Sequence, residues 1–211
     1  MARSAAEQQP VAGHAVPAVL LANAFFVGSV LMGFEMLGSR YLFPYFGGGI
    51  GTWAGLISTV LAALTIGYFA GGAVVDRRPS PRVITASCAI AAAYLALVPM
   101  SADPLMSAIL GGIGDGPWGI LTASACLLLV PLSFLGTFSP VAVRLMLRST
   151  EETGRVAGLV YGISTIGNIF GTLFTTFALI PTIGSRAITY LAAAVLALSA
   201  LMMLFVSRRT L

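Results

Sequence analysis

Few residues of this chain have the type and setting to do chemistry, and the most conspicuous is Glu35. It lies in an otherwise apolar run that starts near Pro17. An ionised group inside a membrane span costs about 3 kcal/mol near the centre and less toward the interface, so it requires a partner, water or a proton. Arg40 is the natural partner. Five residues on, it is too far round a regular helix to meet Glu35, and would reach it only if the helix opened at Gly38. Two readings follow: an interfacial ion pair that pins the following loop, or a carboxylate that binds a cationic substrate or takes up a proton. The pair is the expected resting state, with substrate competing for Glu35.

A second polar set lies between Tyr161 and Thr176. Tyr161, Ser164, Thr165, Asn168, Thr172, Thr175 and Thr176 fall within about 120° of one another at 100° per residue, which makes a stripe along one helix. Such a stripe either hydrogen-bonds to a packed neighbour or lines a hydrated cavity. Ser164, Asn168 and Thr172 are the candidate substrate-binding residues here, alongside Glu35 and Arg40. A third set, Asp76, Arg77 and Arg78, ends an apolar run. There the arginines satisfy terminal carbonyls and anionic headgroups, or form a gating ion pair. Cys88 and Cys126 sit inside apolar runs and read as small buried thiols. His14, the one histidine, lies in a polar tail. Neither a metal nor a cofactor is expected.

The elements that must position these residues follow from composition. With 58% hydrophobic and 9% charged residues and a mean hydropathy of +0.97, the chain is far from the ~25% charge of soluble domains. It reads as an all-α, polytopic membrane protein. Apolar runs bounded by Gly, Pro and charge place six spans at about 17–39, 53–75, 83–100, 118–146, 156–180 and 186–206, in one transmembrane domain over 17–207. Residues 1–16 form a polar tail, 208–211 a short end, and the first run is expected to be retained rather than cleaved. Pro131 and Pro140 predict a kink and a break near Ser139 in the fourth span. Pro44, Pro79, Pro81, Pro104 and Pro117 are read as punctuating the connections.

The net charge of +4 is carried by arginine alone and is distributed at span ends, which argues against nucleic acid as a partner. With both termini cytoplasmic, nine arginines lie inside and Arg40 and Arg186 outside, the expected orientation. Trp53 and Trp118 then join Tyr41, Tyr45 and Phe46 in an interfacial belt. Three spans followed by three of opposite sense would make any duplication an inverted one. Ala54-Gly55-Leu56 with Gly67 and Gly71 is echoed by Ala157-Gly158-Leu159 with Gly167 and Gly171, at a spacing that differs by three residues. Glycines four apart equally serve close helix packing.

The sequence GGAVVDRR, with Gly72, Asp76, Arg77 and Arg78, looks like the loop motif of the major facilitator superfamily. Beside FEMLGSRYLFPYFG, PLSFLGTFSPVAVRL and GLVYGISTIGNIFGTLFTTFALIPTIGSR, it resembles the transmembrane part of bacterial membrane-bound spermidine synthase-like proteins, over about Gly33 to Arg186. The resemblance implies a major-facilitator-like half-bundle in the bacterial inner membrane. The soluble aminopropyltransferase-like domain common in that family has no counterpart in these residues, so the chain alone is expected not to be an enzyme. The expected role is transport or binding of a small, cationic, polyamine-like solute. The alternative is a non-catalytic anchor or structural subunit for a separate enzyme or membrane complex. Expected partners are the lipid bilayer and a second copy or another subunit.

Overall fold

The computed structural model describes residues 15–77, 79–147 and 149–209. The tail through His14, together with Arg78 and Arg148, lies outside them. The described residues form helices and no strands, and six helical units are long and apolar enough to cross a membrane. They are α1 (Ala15–Phe46), α2 (Ile50–Arg77), α3 (Arg82–Gly112), α4 (Pro117–Met146), α5 (Thr150–Thr182) and α6 (Ser185–Arg209). An even number of spans puts the start of α1 and the end of α6 on the same face of the bundle.

Two helices are longer than the sequence suggests. α1 continues through Gly38 and Pro44 to Phe46, and α3 continues through Pro99 and Pro104 to Gly112. Pro44 and Pro104 therefore do not mark connections. Each removes one backbone donor, but the neighbouring turns are held by packing: Tyr41 and Leu42 are buried before Pro44, and Ala102, Met106 and Ile109 lie on one buried face around Pro104. The connection expected from Ser101 to Pro117 shrinks to Ile113–Gly116.

α4 departs from regular α-helix at two places near its prolines. A π-helical segment, Ala125–Leu129, ends two residues before Pro131, and a turn at Thr137 precedes the last stretch, Phe138–Met146. In the π register the Cys126 carbonyl would need the amide of Pro131, which has none. The Tyr94 hydroxyl on α3 donates to that carbonyl instead. α5 repeats the device at Pro181, where the preceding Thr175–Leu179 is π-helical and likewise ends two residues before the proline.

The helices pack as pairs: α1 on α5, α2 on α4, and α3 on α6, with α1–α6 and α3–α4 closing the bundle. Exchanging α1 with α4, α2 with α5 and α3 with α6 leaves this pattern unchanged, the signature of an inverted repeat. The glycines give the register. A methyl group at Gly67 would lie 2.8 Å from Gly136 Cα and against the Ser133 carbonyl, and one at Gly71 would lie 2.8 Å from Thr137 Cα. In the other half, a methyl at Gly167 would lie 3.0 Å from Phe25 Cα and one at Gly171 would lie 2.7 Å from Ser29 Cα. Gly28 meets Ser164 as Gly136 meets Leu64. The Ala-Gly-Leu elements are not equivalent, since Gly55 packs on Ile120 whereas Gly158 faces open space.

Candidate functional site

Glu35 is buried, 8% exposed, on the face of α1 turned into the bundle. Because α1 runs on to Phe46, the carboxylate lies about 16 Å of helix rise from that end, deeper than a span ending at residue 39 would place it. The expected pair with Arg40 is not formed. The helix stays regular through Gly38, which packs against Leu56 and Leu128, and Arg40 is exposed on another face. Among the described residues the one ion pair joins Arg186 to Asp103 at 2.5 Å, and Glu35 has neither a basic partner nor a hydrogen bond.

The polar stripe of α5 is turned mostly into the α1 contact. Asn168 leans on Gly28, with its Oδ1 2.9 Å from where a Cβ would stand, and that oxygen is buried without a hydrogen-bond partner. Ser164 meets the same glycine through its backbone, and Thr175 packs its hydroxyl against Gly33. Thr172 donates to the Asn168 carbonyl at 2.9 Å. Tyr161 and Thr165 are exposed, and Thr176 lines a cavity. Glu35 and the Ser164, Asn168 and Thr172 set thus share one side of α1 but are not joined by hydrogen bonds. Asp76 and Arg77 are exposed at the end of α2, without an ion pair among the described residues, and Arg78 lies outside those residues.

Sequence reasoning passed over Asn23. It is fully buried in α1, donates to the Val19 carbonyl at 3.0 Å, and leaves its Oδ1 without a partner. Its signal was a lone amide in an apolar run. Also missed was the network at the end of the bundle that carries the α1–α2 turn. Tyr41 shares a hydrogen bond with Thr189 at 2.9 Å, and Tyr45 donates at 3.3 Å to Asp103, which also holds Arg186.

Three cavities among the described residues bear on the site. One of about 160 Å³ lies between α1, α5 and α6 and is lined almost wholly by apolar groups such as Phe25, Phe34 and Phe174. Another, of about 650 Å³, is an alanine-lined groove along α3 and α6. The third, about 370 Å³, lies at the α1–α2 turn end and is the most polar, with Ser39, Arg40, Thr52 and Thr176 in its wall.

Comparison with protein-family models, with curated proteins and with solved structures finds no match. The fold itself defines the class: a multi-pass helical membrane protein, in contact with lipid, carrying a buried carboxylate in its first span.

Proposed function

We propose that the chain is a membrane transport or binding module for a small cation, with Glu35 as the group that takes the cation or a proton. The observation that carries this reading is that Glu35 is buried in a span and lacks any basic partner among the described residues. A carboxylate so placed needs a proton, a cation or water to offset its desolvation. The resemblance to spermidine synthase-like membrane domains supports a polyamine-like solute and placement in a bacterial inner membrane with both termini cytoplasmic. By itself the chain is proposed to be non-catalytic. Two inverted repeats of three helices amount to half of an ordinary major-facilitator bundle, so a pathway is proposed to form between two copies.

A second reading, an anchor or structural subunit, has its own support. α2 and α5, equivalent helices of the two repeats, expose Ser58, Thr65, Tyr68, Tyr161 and Thr165 within their spans. Hydroxyls in such positions favour a protein neighbour over lipid. Spermidine uptake into proteoliposomes containing only this chain tests the choice. Uptake in the wild type that is lost in Glu35→Gln is expected; equal uptake in both would remove Glu35. No uptake, with a fixed partner co-purifying, would leave the subunit reading. Orientation is checked separately: a cysteine at Gly111 should react with an impermeant thiol reagent in intact cells and one at Ser80 should not.

A further inference from the structure

The cavity of about 370 Å³ at the α1–α2 turn end combines features that none of the chemistry above uses. Its volume is within the ~300–1,000 Å³ typical of small-ligand sites. Its cation is Arg40, about 9 Å of helix rise below the end of α1 at Phe46. Arg40 has no carboxylate partner among the described residues: Glu35 faces into the bundle, Asp103 is held by Arg186 and Tyr45, and Asp115, in the Ile113–Gly116 connection at the same end, forms no ion pair. Ser39, Thr52 and Thr176 share the cavity wall with Arg40; the Ser39 hydroxyl donates to the Met36 carbonyl at 2.7 Å and that of Thr52 to the Gly47 carbonyl at 3.0 Å. The Thr176 oxygen is buried and has no hydrogen-bond partner among the described residues. Phe43 and Trp53 complete the wall, both partly exposed.

We propose that this cavity is a phosphate-ester site, with Arg40 as the charge that holds the phosphate and Thr176 as a hydroxyl donor to it. A guanidinium presents forked donors that match phosphate oxygens, and an unpaired arginine at this depth gains from an anion that remains with it. The aromatic pair Phe43 and Trp53 suits the apolar remainder of an amphipathic phosphate ester at headgroup depth. Removing Arg40 breaks no ion pair among the described residues, so the substitution is compatible with folding.

The shared chemistry has two sources, a phospholipid headgroup and a soluble phosphate ester, and native mass spectrometry of the detergent-solubilised chain separates them. Three probes are used: a dioleoyl phosphatidylglycerol, glycerol phosphate, and dioleoylglycerol without phosphate. Retention of the phospholipid but not of glycerol phosphate assigns the site to a headgroup, and retention of glycerol phosphate assigns it to a soluble ester. In either case Arg40→Gln is expected to weaken binding at least tenfold and Thr176→Val about threefold. Arg40→Lys should retain part of the affinity, and Arg186→Gln, at the same end but paired with Asp103, should leave it unchanged. Equal retention of dioleoylglycerol, or phospholipid binding indifferent to Arg40→Gln in a protein that elutes normally on gel filtration, would overturn the assignment. So would binding of neither phosphate probe.

Discussion

The two inter-helix contacts that the repeat relates, α2 on α4 and α5 on α1, share their backbone geometry and differ in their chemistry. In both, glycines let one helix come down on the main chain of the other: Gly67 and Gly71 on Ser133 and Thr137, Gly167 and Gly171 on Phe25 and Ser29. In this register Ser164, Asn168 and Thr172 correspond to Leu64, Tyr68 and Gly72. Glu35 corresponds to Val143. The α1–α5 side therefore carries a carboxylate and an amide where the α2–α4 side carries apolar or aromatic groups. The backbone framework is symmetric, whereas the buried carboxylate and the Asn168 amide lie on one side only. Close packing needs only small residues at fixed spacing, whereas a buried ionisable group is costly and persists where it has work to do.

The largest expected effect comes from breaking the shared part. Gly71→Val and Gly171→Val should each destabilise the detergent-solubilised protein by about 3 kcal/mol, because the added atoms meet backbone that cannot move aside. Gly72→Ala and Gly158→Ala face open space and should change stability by less than about 0.5 kcal/mol, or raise it. Thermal unfolding of the four variants checks this, and a cost at Gly171 without one at Gly71 would break the symmetry.

A smaller effect is expected where α4 is tied to α3. Thr137→Val removes the 2.8 Å hydrogen bond with Ser87 and should cost about 1 kcal/mol, much of it recovered when Ser87→Ala is added. Smaller again is Asp103→Asn. The pair with Arg186 is more than half exposed on both sides, so the loss should stay below about 1 kcal/mol and fade as salt is raised.

The sharpest stability test of the asymmetry predicts almost no effect. In a cycle of Glu35→Gln and Arg40→Gln, the coupling should be under about 0.3 kcal/mol, since the two side chains do not meet. A coupling above about 1 kcal/mol would restore the ion pair.

Much of this fold was legible because a span needs little more than length and apolar composition, and residues 17–206 supply both in six runs. The ends were not. Pro44 and Pro104 read as stops, yet tertiary packing of Leu42 and Met106 carries the helices past them. The repeat was half legible: the glycine pairs were visible, but the Ala-Gly-Leu echo pointed to a register the packing does not use. At the candidate site, residue type alone singled out Glu35. What the sequence could not supply was its surroundings, because the lack of a partner depends on the helix staying regular through Gly38, which packing against Leu56 and Leu128 enforces. Asn168 leaning on Gly28 was hidden for a related reason, since that contact joins segments far apart in the chain.

The central claim, that Glu35 is a buried carboxylate for which a proton and a cationic solute compete, is tested most directly by its reaction with a hydrophobic carbodiimide, which attacks protonated carboxyl groups in apolar surroundings. Mass spectrometry of the treated protein in liposomes should find the adduct on Glu35 and none at that position in Glu35→Gln. Spermidine added beforehand should slow the modification severalfold in the wild type and in Arg40→Gln alike. An unmodified Glu35, or modification at a rate indifferent to spermidine, would contradict the account.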